Sequence, residues 1–306
     1  MTTLLSSTHA LNNIRLHWEV AGFDALPTLL AESVASELGR DVYETRLGAL
    51  YVFVDEFIGV LRYTSYYFLF GVAEHPRSAL LFYRLAVKQV RTLAAIRMLC
   101  GSGLDANARM QLRLLHETSL VWVRSVVDQD FQDEFAQAGD PEAANRFWHK
   151  ELSKGKNEKW LRAHLPARGI KWFGDDKPTI ESMQRNLSLS AHPTSLLAAF
   201  DAQNDWRDPS DALVLNRPSD ASHFTLSMAL YVTAMPFLMM PSPTYGMGGA
   251  GLTRNWHPKH RSASDWETYN AKMREMFARL YLASTRFSDE LAKPQEARQK
   301  SDSANS

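Results

Sequence analysis

Two stretches of helical periodicity separated only by GSGLD, residues 101–105, constrain this chain more than any other feature. In SALLFYRLAVKQVRTLAAIRMLC, which runs up to Gly101, Leu81, Leu85, Lys88, Thr92, Ala95 and Leu99 lie close to one face. In NARMQLRLLHETSLVWVRSVVDQ, which follows, Leu112, Leu115, Ser119, Trp122 and Val126 return at helical spacing. Pro76 suits the first position of the earlier helix, and Gly101 its stop. A connection this short turns the chain back on itself, so the two helices should pack antiparallel.

The same period continues elsewhere. No stretch alternates apolar and polar residues around hairpin dipeptides, so the fold expected is all-α: an antiparallel multi-helix bundle with peripheral short helices. Asp24 can cap a helix that runs to Gly39, and ALYVFVDEFIGVLRYTSYYFLFGV (49–72) is apolar enough to be mostly buried. Shorter helices are expected at 131–138 and 141–152, the second opened by Pro141. The segment 153–178 is basic and then punctuated by Gly and Pro, which reads as a helical turn plus loop over the bundle. Further helices are expected at 179–191, 194–203 and 219–240, the last rich in Met and kinked at Pro236. A loop should occupy 204–218, and PSPTYGMGGAG should form another. One helical domain over 1–292 results, with a core bundle at about 41–240 and a closing helix at about 264–292. The polar tail 293–306 is expected to be disordered.

Composition narrows the function classes. Lys+Arg and Asp+Glu stand at 34 each, so no overall field draws the molecule to nucleic acid or anionic lipid, and an RNA contact would need a local patch. The single cysteine, Cys100, excludes an internal disulfide framework and multi-Cys zinc sites, and fits a cytoplasmic setting. The N-terminus lacks the pattern of a secretory signal. The longest apolar run, FTLSMALYVTAMPFLMM, is short for a bilayer and carries Thr225, Ser227, Thr233 and Pro236, so no membrane association is expected. There is no P-loop, no G-x-G-x-x-G after a strand, no G-x-S-x-G and no H-E-x-x-H, and accordingly no cofactor or metal is expected. His257 and His260 lack a carboxylate or Cys at companion spacing. Asp55 and Glu56 point about 100° apart on a helix, which favours structural roles over one shared site.

In MQRNLSLSAHPTS (183–195), Arg185 and His192 return to within about 20° of one direction on a straight helix. Pro193 disfavours α geometry at the residue before it, which places His192 at the helix C-terminus, where the dipole favours its charged form. A guanidinium grips a phosphate through its planar fork, and an imidazole moves protons near neutrality. The pair therefore suits metal-free cleavage of an RNA backbone, with His192 as acid/base and Arg185 countering developing charge. A C-capping histidine beside a surface arginine is the structural alternative.

Arg185, Asn186 and His192 together resemble the Arg-x4–6-His signature of the HEPN superfamily, small α-helical bundles that include metal-independent ribonucleases of toxin, antiphage and RNA-processing systems. The resemblance implies RNA as substrate, a homodimer that brings two motifs together, and Arg185, Asn186 and His192 as catalytic residues. LRLLHETSLVWVRSVV (112–127) followed by LSLSAHP (187–193) is also similar to an uncharacterised bacterial all-helical family with an L-R-S-L-x-E helix and a later L-S-x-x-x-H element. Arg113, Glu117, Ser190 and His192 match it in type, while Leu114 departs from its usual Ser.

Arg109, Arg113, Glu117, Leu120 and Arg124 form a polar seam on an otherwise apolar helix. Facing inward, the seam would give Glu117 a partner in Arg113 or His192 and build a cationic pocket; facing water, it is a solvated stripe with a weak ion pair. Arg113, Glu117, Arg109 and the neighbouring His116 are the candidate substrate contacts; without turnover, the same seam with His192 would make the chain a helical scaffold that binds a small anion, nucleotide or protein partner.

Overall fold

A helix apolar on every side belongs in the middle of a fold, and residues 47–61 are buried without interruption. The structure, a computed structural model, describes residues 6–20, 30–71, 76–170, 218, 220–239 and 278–291. Its regular elements are α1 (Ser7–Val20), α2 (Leu30–Leu38), α3 (Gly48–Gly71), α4 (Pro76–Gly101), α5 (Asp105–Val127), α6 (Gln129–Gln137), α7 (Pro141–Phe147), α8 (Lys156–His164), α9 (Asp220–Leu238) and α10, over 278–291. All regular structure among the described residues is helical, and the chain is an all-α bundle with α3 at its centre. None of the described helices is long and apolar enough to cross a membrane.

Side-chain pairs fix the directions of the helices. Gln89 donates to Ser119 Oγ at 2.9 Å, and the Phe82 ring lies 5.8 Å from that of Trp122, so α4 and α5 run antiparallel, as their short connection requires. Ser222 on α9 donates to Asp105 at 2.6 Å while Phe237 stands 5.6 Å from Trp122, so α9 runs parallel to α5. His223 Nε2 lies 3.0 Å from the Ser288 carbonyl oxygen and Tyr231 packs edge-on to Tyr281 at 5.9 Å, which makes α10 antiparallel to α9.

Asp55 and Glu56 are fully buried and serve the two ends of α2. Glu56 accepts from Ala31 N at 2.7 Å, where the positive end of the helix dipole favours a carboxylate. Arg97 on α4 donates to the carbonyls of Leu38 at 2.7 Å and Gly39 at 2.5 Å, capping the other end. Asp55 faces that guanidinium through bonds of 3.0 and 3.1 Å and accepts from the Tyr43 hydroxyl at 2.9 Å. Burial pushes the Asp55 carboxyl up, against the pull of Arg97 and Tyr43.

Local structure departs from the sequence expectation in four places. α1 was not expected, because among the described side chains of its polar sequence only Ala10 and Ile14 are buried, with Leu11 packed beside them. Asp24, the cap expected for α2, lies outside the described residues. α6 starts at Gln129, because the Asp128 side chain caps it by accepting from Phe131 N. The helix expected at 141–152 leaves α geometry after Phe147 and continues as a π-turn, Trp148–Leu152. Within the segment expected to be a helical turn and loop, α8 is a nine-residue helix that buries Asn157 and Leu161 on one side. The expected helices at 179–191 and 194–203 lie outside the described residues.

Candidate ligand-binding cleft

α6, the π-turn and α8 fold back across α4 and α5, and one side chain fastens them there. The Arg124 guanidinium stacks 4.2 Å from the Phe131 ring centroid and 4.4 Å from that of Trp160, while pairing with Asp128 at 3.1 Å and Glu151 at 2.7 Å. Planar guanidinium stacking and single hydrogen bonds to two separate carboxylates together hold four elements in register.

Beneath this brace, between α4, α5, the C-terminal end of α6 and α8, lies a cleft of about 990 Å³. Its floor is apolar, with Leu81, Leu85, Leu120 and Val121 among the lining residues. Around it stand six cations, Arg84, Lys88, Arg113, Lys154, Lys159 and Arg162, against two carboxylates, Glu117 and Glu158. Both carboxylates are already paired along their own helices: Arg113 with Glu117 at 3.2 Å and Arg162 with Glu158 at 2.8 Å. Among the described residues Arg84, Lys88, Lys154 and Lys159 enter no ion pair, so the cleft is cationic on a chain whose total charge is balanced.

Two buried polar side chains among the lining residues carry unsatisfied atoms. His116 and Asn157 are each 5% exposed, and among the described residues neither His116 Nε2 nor Asn157 Oδ1 has a hydrogen-bond partner. Buried polar atoms without partners are uncommon in folded proteins and destabilise them. Beside Asn157 the backbone is strained as well: Lys154 holds φ 57° ahead of Gly155 at φ 70°. A non-glycine residue in the left-handed region costs on the order of 1 kcal/mol, and such positions cluster at functional sites. Both residues line the cleft at the N-terminus of α8, which has no side-chain cap and whose dipole favours anions.

Burial pushes the His116 imidazole below its ordinary value of 6.5; Glu158 and Glu117 pull it up by less, and Arg162 adds to the lowering. Acidification therefore protonates the unfolded chain before the folded one. Stability is complete above about 6.5 and falls as the pH drops through and below that value. His17, lowered by burial and by Arg279 and Arg286, adds a contribution of the same sign. Urea unfolding at about pH 7.5 and pH 5.5 should show a smaller acid loss for His116→Gln than for the unaltered protein; equal losses would assign the dependence elsewhere.

The structure divides the seam read from the sequence. Arg113, His116 and Glu117 line the cleft, with Arg113 and Glu117 52% and 55% exposed and paired to each other. Arg109 and Arg124 are buried elsewhere, Arg109 with its guanidinium 5.8 Å from the Phe224 ring centroid and Arg124 in its brace. The seam thus faces neither wholly inward nor wholly to water, because it winds around α5. Arg185, Asn186 and His192 lie outside the described residues. Sequence reasoning missed Arg84, Lys154, Asn157 and Lys159. The signals for them were the basic run SKGKNEKWLR and Lys88 interrupting the apolar stripe of Leu81 and Leu85.

No protein-family model, curated protein or solved structure matches the chain.

Proposed function

We propose that the protein is a helical scaffold that binds a small organic anion in the cleft between α4, α5 and α8. The observation that carries this reading is the meeting of cations and two buried polar atoms that are unpaired among the described residues. Desolvated anions bound by preorganised cations and a helix N-terminus need no other machinery. The buried single thiol of Cys100 supports a cytoplasmic setting.

Inorganic pyrophosphate is the first probe. At about 100 times its dissociation constant it should add about 2.7 kcal/mol of stability, a rise of several degrees in Tm. Arg84 and Lys88 are exposed, so the charge-reversed double variant Arg84→Glu/Lys88→Glu should fold normally and lose most of that shift. The absence of any shift in the unaltered protein removes the reading.

A HEPN-like metal-independent ribonuclease, acting as a homodimer in antiphage defence or a toxin system, is the second reading. What favours it is the Arg185-Asn186 pair followed by His192, together with the RNA-compatible charge of the cleft. Mixed RNAs incubated with the protein in EDTA should be cut, and Arg185→Ala and His192→Ala should each abolish cutting. No cleavage, or cleavage unchanged in both variants, removes it.

A further inference from the structure

We infer that the anion taken by this cleft is a nucleoside phosphate. The inference rests on the anion-binding reading above and adds the ligand's other half.

Three observations select that half. The cleft, at about 990 Å³, has far more room than an inorganic phosphate needs, and much of its wall is hydrocarbon, so the ligand carries an uncharged body. One wall is the Trp148 side chain, which stays 47% exposed at the start of the π-turn while packing against the His149 ring at 4.8 Å, an aromatic surface suited to a planar ring. The buried Asn157 Oδ1 asks for a donor. The neutral His116 Nε2 asks for a donor or an acceptor according to its tautomer.

Other anion classes meet only part of this demand. A fatty acyl anion fills the hydrocarbon wall but leaves His116 and Asn157 unsatisfied. A sugar phosphate held by the same cations leaves the apolar wall and Trp148 uncovered. A nucleobase presents a flat face for Trp148 and an edge carrying both donors and acceptors, while its phosphate meets Lys154 and Lys159 among the cations around the cleft. Buried groups that demand a hydrogen-bonding edge discriminate strongly against ligands lacking one.

The test measures affinity by titration calorimetry for AMP, GMP, CMP and UMP, for the matching nucleosides, and for ribose 5-phosphate and pyrophosphate. At least one nucleotide should bind tenfold or more tightly than both ribose 5-phosphate and its own nucleoside, and should quench Trp148 fluorescence; Trp148→Leu removes that quenching. Asn157→Ala and His116→Ala should each bring the nucleotide close to the affinity of ribose 5-phosphate while leaving ribose 5-phosphate itself unchanged. Should His116→Ala fail to fold, Asn157→Ala carries this comparison alone. Lys154→Gly, which suits the left-handed backbone at that position, should fold normally and weaken nucleotide and ribose 5-phosphate alike. If ribose 5-phosphate or pyrophosphate binds but no nucleotide binds better, the nucleoside inference is overturned and the anion site stands. If the nucleotide preference survives both Asn157→Ala and His116→Ala, the assignment of the base to this pair is overturned. If no probe binds, both readings fall together.

Discussion

Replacing Arg97 by Met should cost about 3–5 kcal/mol, the scale for removing one partner from a buried ion pair. The side chains of Arg97 and Asp55 are 2% and 0% exposed, so little water is at hand to compensate. The loss has two parts: Asp55 keeps only the Tyr43 hydroxyl, and the carbonyls of Leu38 and Gly39 lose their cap on α2. Because Arg97 holds the Asp55 proton affinity down, its removal raises the carboxyl's pKa further above the unfolded value of 3.8. A raised folded pKa gives stability that is present at low pH and lost as pH rises through it. The deficit of Arg97→Met should therefore be smaller near pH 5 than near pH 7. Arg97→Met combined with Asp55→Leu should lose less than the two single variants summed, since no charge is left behind. Urea unfolding of the four proteins provides the cycle, and a single-variant cost below about 1 kcal/mol would show that the pair does not hold α2.

Why the fold could be read from the sequence, and where reading stopped, follows from how each element is stabilised. α3, α4 and α5 carry their own evidence, because burial of long apolar faces imposes a period visible in the chain. α1 buries Ala10 and Ile14, packs Leu11 beside them and is otherwise tied by Ser7 to the Tyr43 carbonyl and by His9 to Phe287, contacts too scattered to make a period. α8 is held partly by its Glu158–Arg162 pair and by docking onto Arg124 through Trp160, and a tertiary contact of that kind leaves no local mark. Asp55 and Glu56 were readable as structural, since neighbours on a helix diverge by about 100°. That Glu56 caps the start of α2 while Asp55 reaches its other end only through Arg97 depends on α4, distant in sequence.

The cleft was half legible for the same reason. Arg113, His116 and Glu117 stood out as polar residues on an apolar helix, and all three line it. Arg109 and Arg124 carried the same signal and face elsewhere, because spacings of four and three drift around the helix axis over fifteen residues. Arg124 meets aromatic rings from α6 and α8, where a guanidinium is stable without solvent. The cations contributed by Lys154 and Lys159 depended on α8 folding back over α5, which no periodicity in 153–162 announces.

Trp122→Ala should cost about 3–5 kcal/mol and lower Tm by roughly 10 °C. Trp122 is wholly buried and joins three helices: its own α5, α4 through Phe82 at 5.8 Å, and α9 through Phe237 at 5.6 Å. Truncation there opens a cavity that rigid neighbouring helices cannot close, so the penalty exceeds the transfer energy of the lost atoms. Trp122→Phe keeps a ring against both partners and should lose about half as much. Because Trp122 faces the core between α4 and α9 and does not line the cleft, Trp122→Phe should bind pyrophosphate with unchanged affinity at temperatures where it is folded. Thermal unfolding with and without pyrophosphate gives both quantities in one experiment. A loss of affinity in Trp122→Phe equal to that of Arg84→Glu/Lys88→Glu would mean that the packing of α5 and the shape of the cleft are one cooperative unit, not a rigid body with a site on its flank.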